Sequence, residues 1–403
     1  MSNESKSTRL LFLDNIKILF VILVIFQHAA ITYGVMGWWY YISSENELNP
    51  ADPFSPLFFL ILTLIGGLFQ ASLMGLFFLM GGYFTPKSYD RKGAPTYWKE
   101  RLIRLGIPLL LYIVLIDPIM VYMLSVLEIQ PWSTFEILQG SFLEFYLSRF
   151  QSLEGLIDFF SSTGPMWFLS VLLILTACYT LWRLISKSGS LSQYIPEKIS
   201  IPKYPILLLL SIILGILTFV LRLAFPVGEV TLGIPMAFFI QYFMMFSVGV
   251  ISVRNEWFEI ISRDQIKIWA LTIITAVICF VIYLLFFLGP EEDLNVLVGG
   301  PNLHALVYAL IDNVICMGMI FVLIPITRAK FNDQGNVLKS LSSSAYHMYL
   351  VHAPVLVLLS LVLKILMDLT SIGIFPVIKL AIAFPTTIIL CYLLSRYVLQ
   401  KIL

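Results

Sequence analysis

Hydrophobic positions in this chain gather in ten long blocks, and polar residues gather in the connections between them. A window of about 20 residues, the length a ~30 Å hydrocarbon core demands, predicts helices at 10-33, 57-84, 105-127, 164-186, 205-225, 232-252, 267-289, 304-327, 343-365 and 374-397. The pattern predicts an all-α polytopic membrane protein folded as one integral-membrane domain, 1-403. The second block is too long for a perpendicular span and should tilt or project. Its Gly67, Ala71 and Gly75 form a small-xxx-small stripe suited to close helix approach. Gly81, Gly82 and Pro86 are expected to break it at the membrane surface. The first block could be taken for a signal peptide, but Asp14 and Lys17 interrupt its first turns and no clean A-x-A site follows, so a retained helix is expected.

Composition agrees with the pattern: 59% of residues are hydrophobic and 12% charged, against roughly 45–50% and about 25% in soluble domains. A net charge of +1 leaves no basic face for a nucleic acid. Alternate connections hold 20 of the 25 Lys and Arg, whereas the opposite ones carry mostly Asp and Glu. The positive-inside rule then gives a cytoplasmic N-terminus, ten crossings and a cytoplasmic C-terminus. Cys178, Cys279, Cys316 and Cys391 fall singly in four blocks and are expected to be small core residues. No internal repeat or low-complexity tract is present.

Within this apolar chain His28 stands out, because an ionisable ring inside the bilayer needs a partner or a wet cavity. It lies fourteen residues beyond Asp14, about 21 Å along a helix. Asp312 comes to roughly 12 Å below the outer surface, counted from His304, and His352 to about 14 Å from the inner side, counted from Ser343. On depth alone Asp312 is the candidate to orient His28, which as a neutral imidazole is the candidate general base; a structural pairing of Asp312 with Asn313 or a backbone group is the other reading. His352 and Tyr349, three apart on one helix face, either line the same cavity or pack between helices. His347 and His304 are placed near the two interfaces. The four histidines show no metal-ligand spacing, and no metal is expected.

The densest basic segment follows the second block: Lys87, Arg91, Lys92, Lys99, Arg101 and Arg104. Arg101 and Arg104 share a helix face and could clamp a phosphate with two guanidinium forks, or simply anchor the third helix. Trp167, after Gly164-Pro165-Met166, is an aromatic-belt anchor or part of an acceptor entrance. The Trp38-Trp39-Tyr40-Tyr41 run admits the same two readings.

Five segments in this order resemble the membrane acyltransferase-3 family. They are Phe12-Leu13-Asp14-Asn15-Ile16-Lys17 through Phe26-Gln27-His28-Ala29-Ala30, the Gly75 to Phe84 stretch, Arg101-Leu102-Ile103-Arg104, Gly164 to Leu169, and Tyr346 to Pro354. The likeness spans most of the chain and is nearest the branch with periplasmic glucan succinyltransferases. It implies transfer of a short acyl group, acetyl or succinyl, from a cytoplasmic acyl-CoA to a carbohydrate hydroxyl on or beyond the membrane. It carries His28 over as the essential histidine and Arg101 and Arg104 as the arginine pair. Lys17 stands where arginine is common, keeping the charge and losing the fork. A proton-coupled secondary transporter is the alternative that buried His and Asp residues leave open.

Overall fold

Each apolar block folds as a helix because lipid offers backbone N–H and C=O groups no partner, and a helix satisfies them within its own segment. The computed structural model describes residues 11–34, 37, 39–43, 55–127, 140–187, 198–289, 294–370 and 375–402. Among them ten helices are long and apolar enough to span a membrane. In chain order the helices are α1 (Leu11–Tyr33), α2 (Ser55–Lys92), α3 (Ala94–Val126), the short α4 (Phe142–Ser148) and α5 (Leu153–Ser161), α6 (Trp167–Lys187), α7 (Tyr204–Arg222), α8 (Phe239–Asn255), α9 (Arg263–Phe287), α10 (Leu303–Lys330), α11 (Asn336–Thr370) and α12 (Pro376–Leu399). No β-sheet occurs among the described residues, where one isolated bridge joins Thr231 and Ile234.

The bundle centre is α1, α2, α8 and α10. α2 packs on α8 and α10, α10 on α7 and α9, and α1 on α2, α11 and α12. The apolar side chains of α9, such as Leu271, Ile278 and Leu285, stay exposed on the periphery, where hydrocarbon rather than water is their solvent. Cys316 and Cys391 are buried, as expected of core residues, but Cys178 and Cys279 are exposed. On an outward-facing helix surface a small apolar thiol is as compatible with lipid as with core, which corrects the expectation for that pair.

The expected break in α2 does not occur: the helix runs through Gly81, Gly82 and Pro86 to Lys92. Those glycines serve packing instead. A Cβ on Gly82 would overlap the carbonyl of Phe246 in α8, and one on Gly249 would overlap the carbonyl of Leu79 in α2. The two backbones therefore touch where they cross. Gly75 is likewise closed in by Cys316 of α10, whereas Gly67 faces open space; the side chain of Ala71, like Trp38, lies outside the described residues. Gly249→Ala should destabilise the bundle by about 1–3 kcal/mol through overpacking. Thermal unfolding in detergent checks this, and an unchanged midpoint would show that the crossing has room.

Prolines shape α3. Pro108 and Pro118 lack an N–H, so the carbonyls four residues back, on Arg104 and Val114, lose their ordinary helical donor. The chain widens into π-helical turns at Leu102–Gly106 and Tyr112–Ile116. Tyrosine hydroxyls donate to both carbonyls, Tyr346 to Arg104 and Tyr146 to Val114.

A register lock sets depth in the bundle. Asn15, near the start of α1, donates to the carbonyls of Phe331 (2.7 Å) and Asp333 (3.0 Å) and accepts from Gln334 (2.8 Å). The α10–α11 connection is thus tied to the first turns of α1. The two helices start level and run parallel.

Candidate active site

That lock decides which residue meets His28. Counted from Leu11 in α1 and from Asn336 in α11, His28 and His352 both lie more than four helical turns along, about 25 Å up each axis. Their rings meet, His28 Nδ1 standing 3.0 Å from His352 Nε2. The sequence-based depth of His352 fell short because α11 begins at Asn336, seven residues before Ser343, and those residues add about 10 Å.

Hydrogen bonding fixes the tautomers. His352 Nδ1 lies 2.5 Å from the carbonyl oxygen of Tyr349. A carbonyl can only accept, so Nδ1 carries the proton. With both rings neutral, His352 Nε2 is then an acceptor, His28 Nδ1 donates to it, and the lone pair of His28 is on Nε2. Pro354, two residues beyond His352, removes one backbone donor from this turn of α11. The result is a proton acceptor oriented by a second imidazole, itself oriented by main chain.

Trp39 covers this pair. Its ring stacks on His28 with centroids 3.9 Å apart and planes 12° apart. The segment after α1 folds back into the bundle, with Ser43 N–H donating to Thr32 O at 2.9 Å. Tyr40 donates to Asp117 of α3 at 2.5 Å and accepts from Tyr112 at 3.0 Å. Gly164 (φ 46°) sits against both tyrosines, and a Cβ there would overlap the Tyr40 hydroxyl. Only glycine satisfies the left-handed backbone and the close approach together. Beside it the Pro165 carbonyl accepts from Tyr349 at 2.5 Å. α1, α3, α11 and the turn before α6 therefore converge around the histidine pair. His352 is fully buried, while His28 is half-buried.

Asp312 does not belong to this site. Its carboxylate is held by Arg222 Nη2 at 2.6 Å and by Gln241 Nε2 at 3.1 Å, and both ion-pair partners are fully buried. Asn313 alongside donates to Thr218 (3.2 Å). Asp312 as the residue orienting His28 is therefore corrected: equal depth in a bundle does not mean the same side of it. His352, placed by sequence among substrate contacts, holds the orienting position.

The other sequence candidates separate. Trp167 is half-buried and stacks on Tyr242 at 5.4 Å, in the aromatic packing between α6 and α8. Tyr349 packs 5.5 Å from His352. Arg101 directs Nε to Tyr97 (2.9 Å) and Nη2 to Thr85 (3.0 Å), joining α3 to α2. Arg104 is exposed. The turn Leu102–Gly106 is π-helical, so the angle between the two positions differs from that of an ordinary α-helix. Lys17 pairs with Asp14 at 3.0 Å and lies over the Phe84 ring. His304 meets the Tyr283 hydroxyl at 2.9 Å.

Sequence reasoning passed over Asp117 and Arg222, although each is an ionisable residue inside an apolar block and that signal was legible. It also had no signal for the Trp39–His28 stack, since Trp39 is eleven residues further along and returns only through the fold.

Ten spanning helices make this a multi-pass membrane protein. A family model described as an acyltransferase domain matches residues 10–396, and the chain belongs to the acyltransferase-3 family. Glucans biosynthesis protein C of Escherichia coli O1:K1 / APEC is 25% identical over 215 residues, which is 51% of this chain and 48% of that protein. The protein of the same name from Escherichia coli O157:H7 (strain EC4115 / EHEC) gives the same figures. The chain thus spans about half the length of the curated relatives it matches. No solved structure matches.

Proposed function

We propose that this protein transfers a short acyl group, acetyl or succinyl, from acyl-CoA to a hydroxyl of a carbohydrate at the extracytoplasmic side of the plasma membrane, with His28 as general base. The observation that carries this is the His28–His352 pair, whose hydrogen bonding leaves one unprotonated nitrogen on a half-buried ring deep in the bundle. Membership of the acyltransferase-3 family supports the reaction type, and the name of the glucan biosynthesis relatives supports a carbohydrate acceptor.

The chemistry balances as a direct transfer. His28 Nε2 takes the proton of the acceptor hydroxyl as its oxygen attacks the thioester carbonyl carbon. The tetrahedral intermediate collapses with cleavage of the C–S bond. The departing thiolate takes the proton back from Nε2, leaving an ester and free CoA. His352 keeps the imidazole in the competent tautomer and accepts from the imidazolium's Nδ1–H meanwhile.

The donor enters from the basic end, which the Lys and Arg bias assigns to the cytoplasm. Arg104, exposed on a widened turn, is the contact for CoA phosphates, and Arg101 braces the α2–α3 corner beneath it. Arg104→Ala should raise KM for acyl-CoA about tenfold or more, because a hydrogen bond to a charged group is worth about 1.5–3 kcal/mol, with a smaller effect on kcat. Steady-state kinetics at varied donor concentration would show this; an unchanged KM would leave Arg104 a topological anchor.

The reading is tested by offering purified protein in nanodiscs labelled acetyl-CoA and succinyl-CoA with candidate glycans. Labelled ester on a glycan is the expected product. Solute movement in proteoliposomes without any transfer would favour a carrier instead.

A further inference from the structure

One buried donor beside His28 lacks a partner among the described residues. Trp39 is 7% exposed, yet no acceptor lies within reach of its indole Nε1–H. Nearby polar groups are satisfied: Tyr33 by Ser360, Tyr40 by Asp117, Tyr349 by the Pro165 carbonyl. An indole nitrogen is a donor only, and leaving it unpaired in a buried setting costs free energy that a bound acceptor recovers. Unpaired buried atoms also occur elsewhere among the described residues, including the Trp269 indole N–H, whose ring stacks on Phe321, and Arg222 Nη1 beside Asp312; Gln27 Oε1 is an acceptor.

We infer that the Trp39 indole N–H donates to the carbonyl oxygen of the acyl group during transfer, as the oxyanion-stabilising residue of the reaction proposed above, on which this inference rests. The geometry is that of a base and a donor in adjacent layers. The Trp39 and His28 rings lie face to face, 3.9 Å and 12° apart, so the indole N–H sits one ring thickness from the plane holding the imidazole lone pair. His28 turns its Nδ1 edge to His352 and its Nε2 edge away from it. In the proposed reaction the hydroxyl is met by Nε2 in the imidazole layer and the thioester carbonyl by Nε1 in the indole layer stacked on it.

As the hydroxyl oxygen bonds to the carbonyl carbon, the C=O π pair moves onto oxygen and the indole hydrogen bond strengthens. When the C–S bond breaks the pair returns, and the charge leaves on sulfur. A fixed donor that gains strength only at the tetrahedral stage accelerates the reaction without tightening donor binding. Its fixity comes from its own segment, pinned by Tyr40 to Asp117 and by Ser43 to Thr32.

The decisive substitution removes the N–H and keeps the ring: Trp39 replaced by 3-benzothienylalanine, with Trp39→Phe as a second variant. Acyl transfer is measured in nanodiscs beside wild type, with binding of free CoA, which has no acyl carbonyl, and thermal midpoint recorded for each. Loss of a single such donor should lower kcat about 10²–10³-fold, while KM for acyl-CoA, affinity for free CoA and the midpoint stay within the scatter of wild type. A benzothienyl variant with kcat within threefold of wild type overturns the inference and leaves the acyltransferase proposal standing. A loss confined to KM or accompanied by a fallen midpoint also overturns it, making Trp39 a packing residue. Absence of transfer by wild type itself overturns the parent proposal and this one together.

Discussion

Replacing His28 by alanine should lower acyl transfer by about 10²–10⁴-fold, the usual contribution of a positioned general base, or about 2.7–5.4 kcal/mol of transition-state stabilisation. The protein should still assemble, because the ring is half-buried and Ile25, Ala29 and Tyr33 of the same helix are buried beside it. Two controls sharpen the result. Helical circular dichroism and the thermal midpoint should match wild type, and affinity for the CoA donor should persist, since the basic end is about 21 Å away. His352→Ala should give an intermediate loss: the base remains, but nothing selects the tautomer with its lone pair on Nε2. Turnover within tenfold of wild type in a well-folded His28→Ala protein would remove the base from the mechanism.

The second large effect concerns stability. Arg222→Ala strands the Asp312 carboxylate in the bundle interior, where both partners of the 2.6 Å ion pair are inaccessible to solvent. Breaking one side of a buried pair costs about 3–5 kcal/mol, because the remaining charge keeps its desolvation penalty and loses its compensation. Removing both charges together, as Arg222→Met with Asp312→Leu, should recover much of that loss. The double variant also separates this cluster from catalysis. With Asp312 hydrogen-bonded to Arg222 and Gln241 rather than to His28, a folded double variant should retain transfer. A midpoint unchanged by Arg222→Ala, or a folded double variant without activity, would assign the pair another role.

Physical reasons divide what was legible along the chain from what was not. Spans could be read because a bilayer imposes length and apolarity on every crossing segment. Helix ends were harder. α11 begins seven residues before its expected start, because Asn336–Ser342 is polar enough to resemble a connection yet folds as helix beyond the apolar block. Likewise α2 passes Gly82 and Pro86 unbroken, since α8 packs against the glycine and gives the backbone a reason to stay helical there. His28 could be singled out from one chain, being a titratable ring among aliphatics, and Arg222 and Asp117 carried the same signal. Arg101 and Arg104 stand at ordinary helical spacing in the sequence, but the turn ahead of Pro108, whose ring would have met the Arg104 carbonyl, widens into a π-helix, which spacing alone does not announce.

The amino-acid sequence alone determined that this is a helical membrane protein of about ten spans, that His28 lies within the outer half of its span, and that the chain resembles the acyltransferase-3 family. Each of these depends on properties local to a segment: its length, its polarity, the order of its residues. Partner choice depends on rotation and register between helices, which no segment encodes by itself. Only the tertiary structure decided that Asn15 ties α1 to the start of α11, that His352 therefore meets His28 while Asp312 meets Arg222, and that Trp39 folds back over the imidazole.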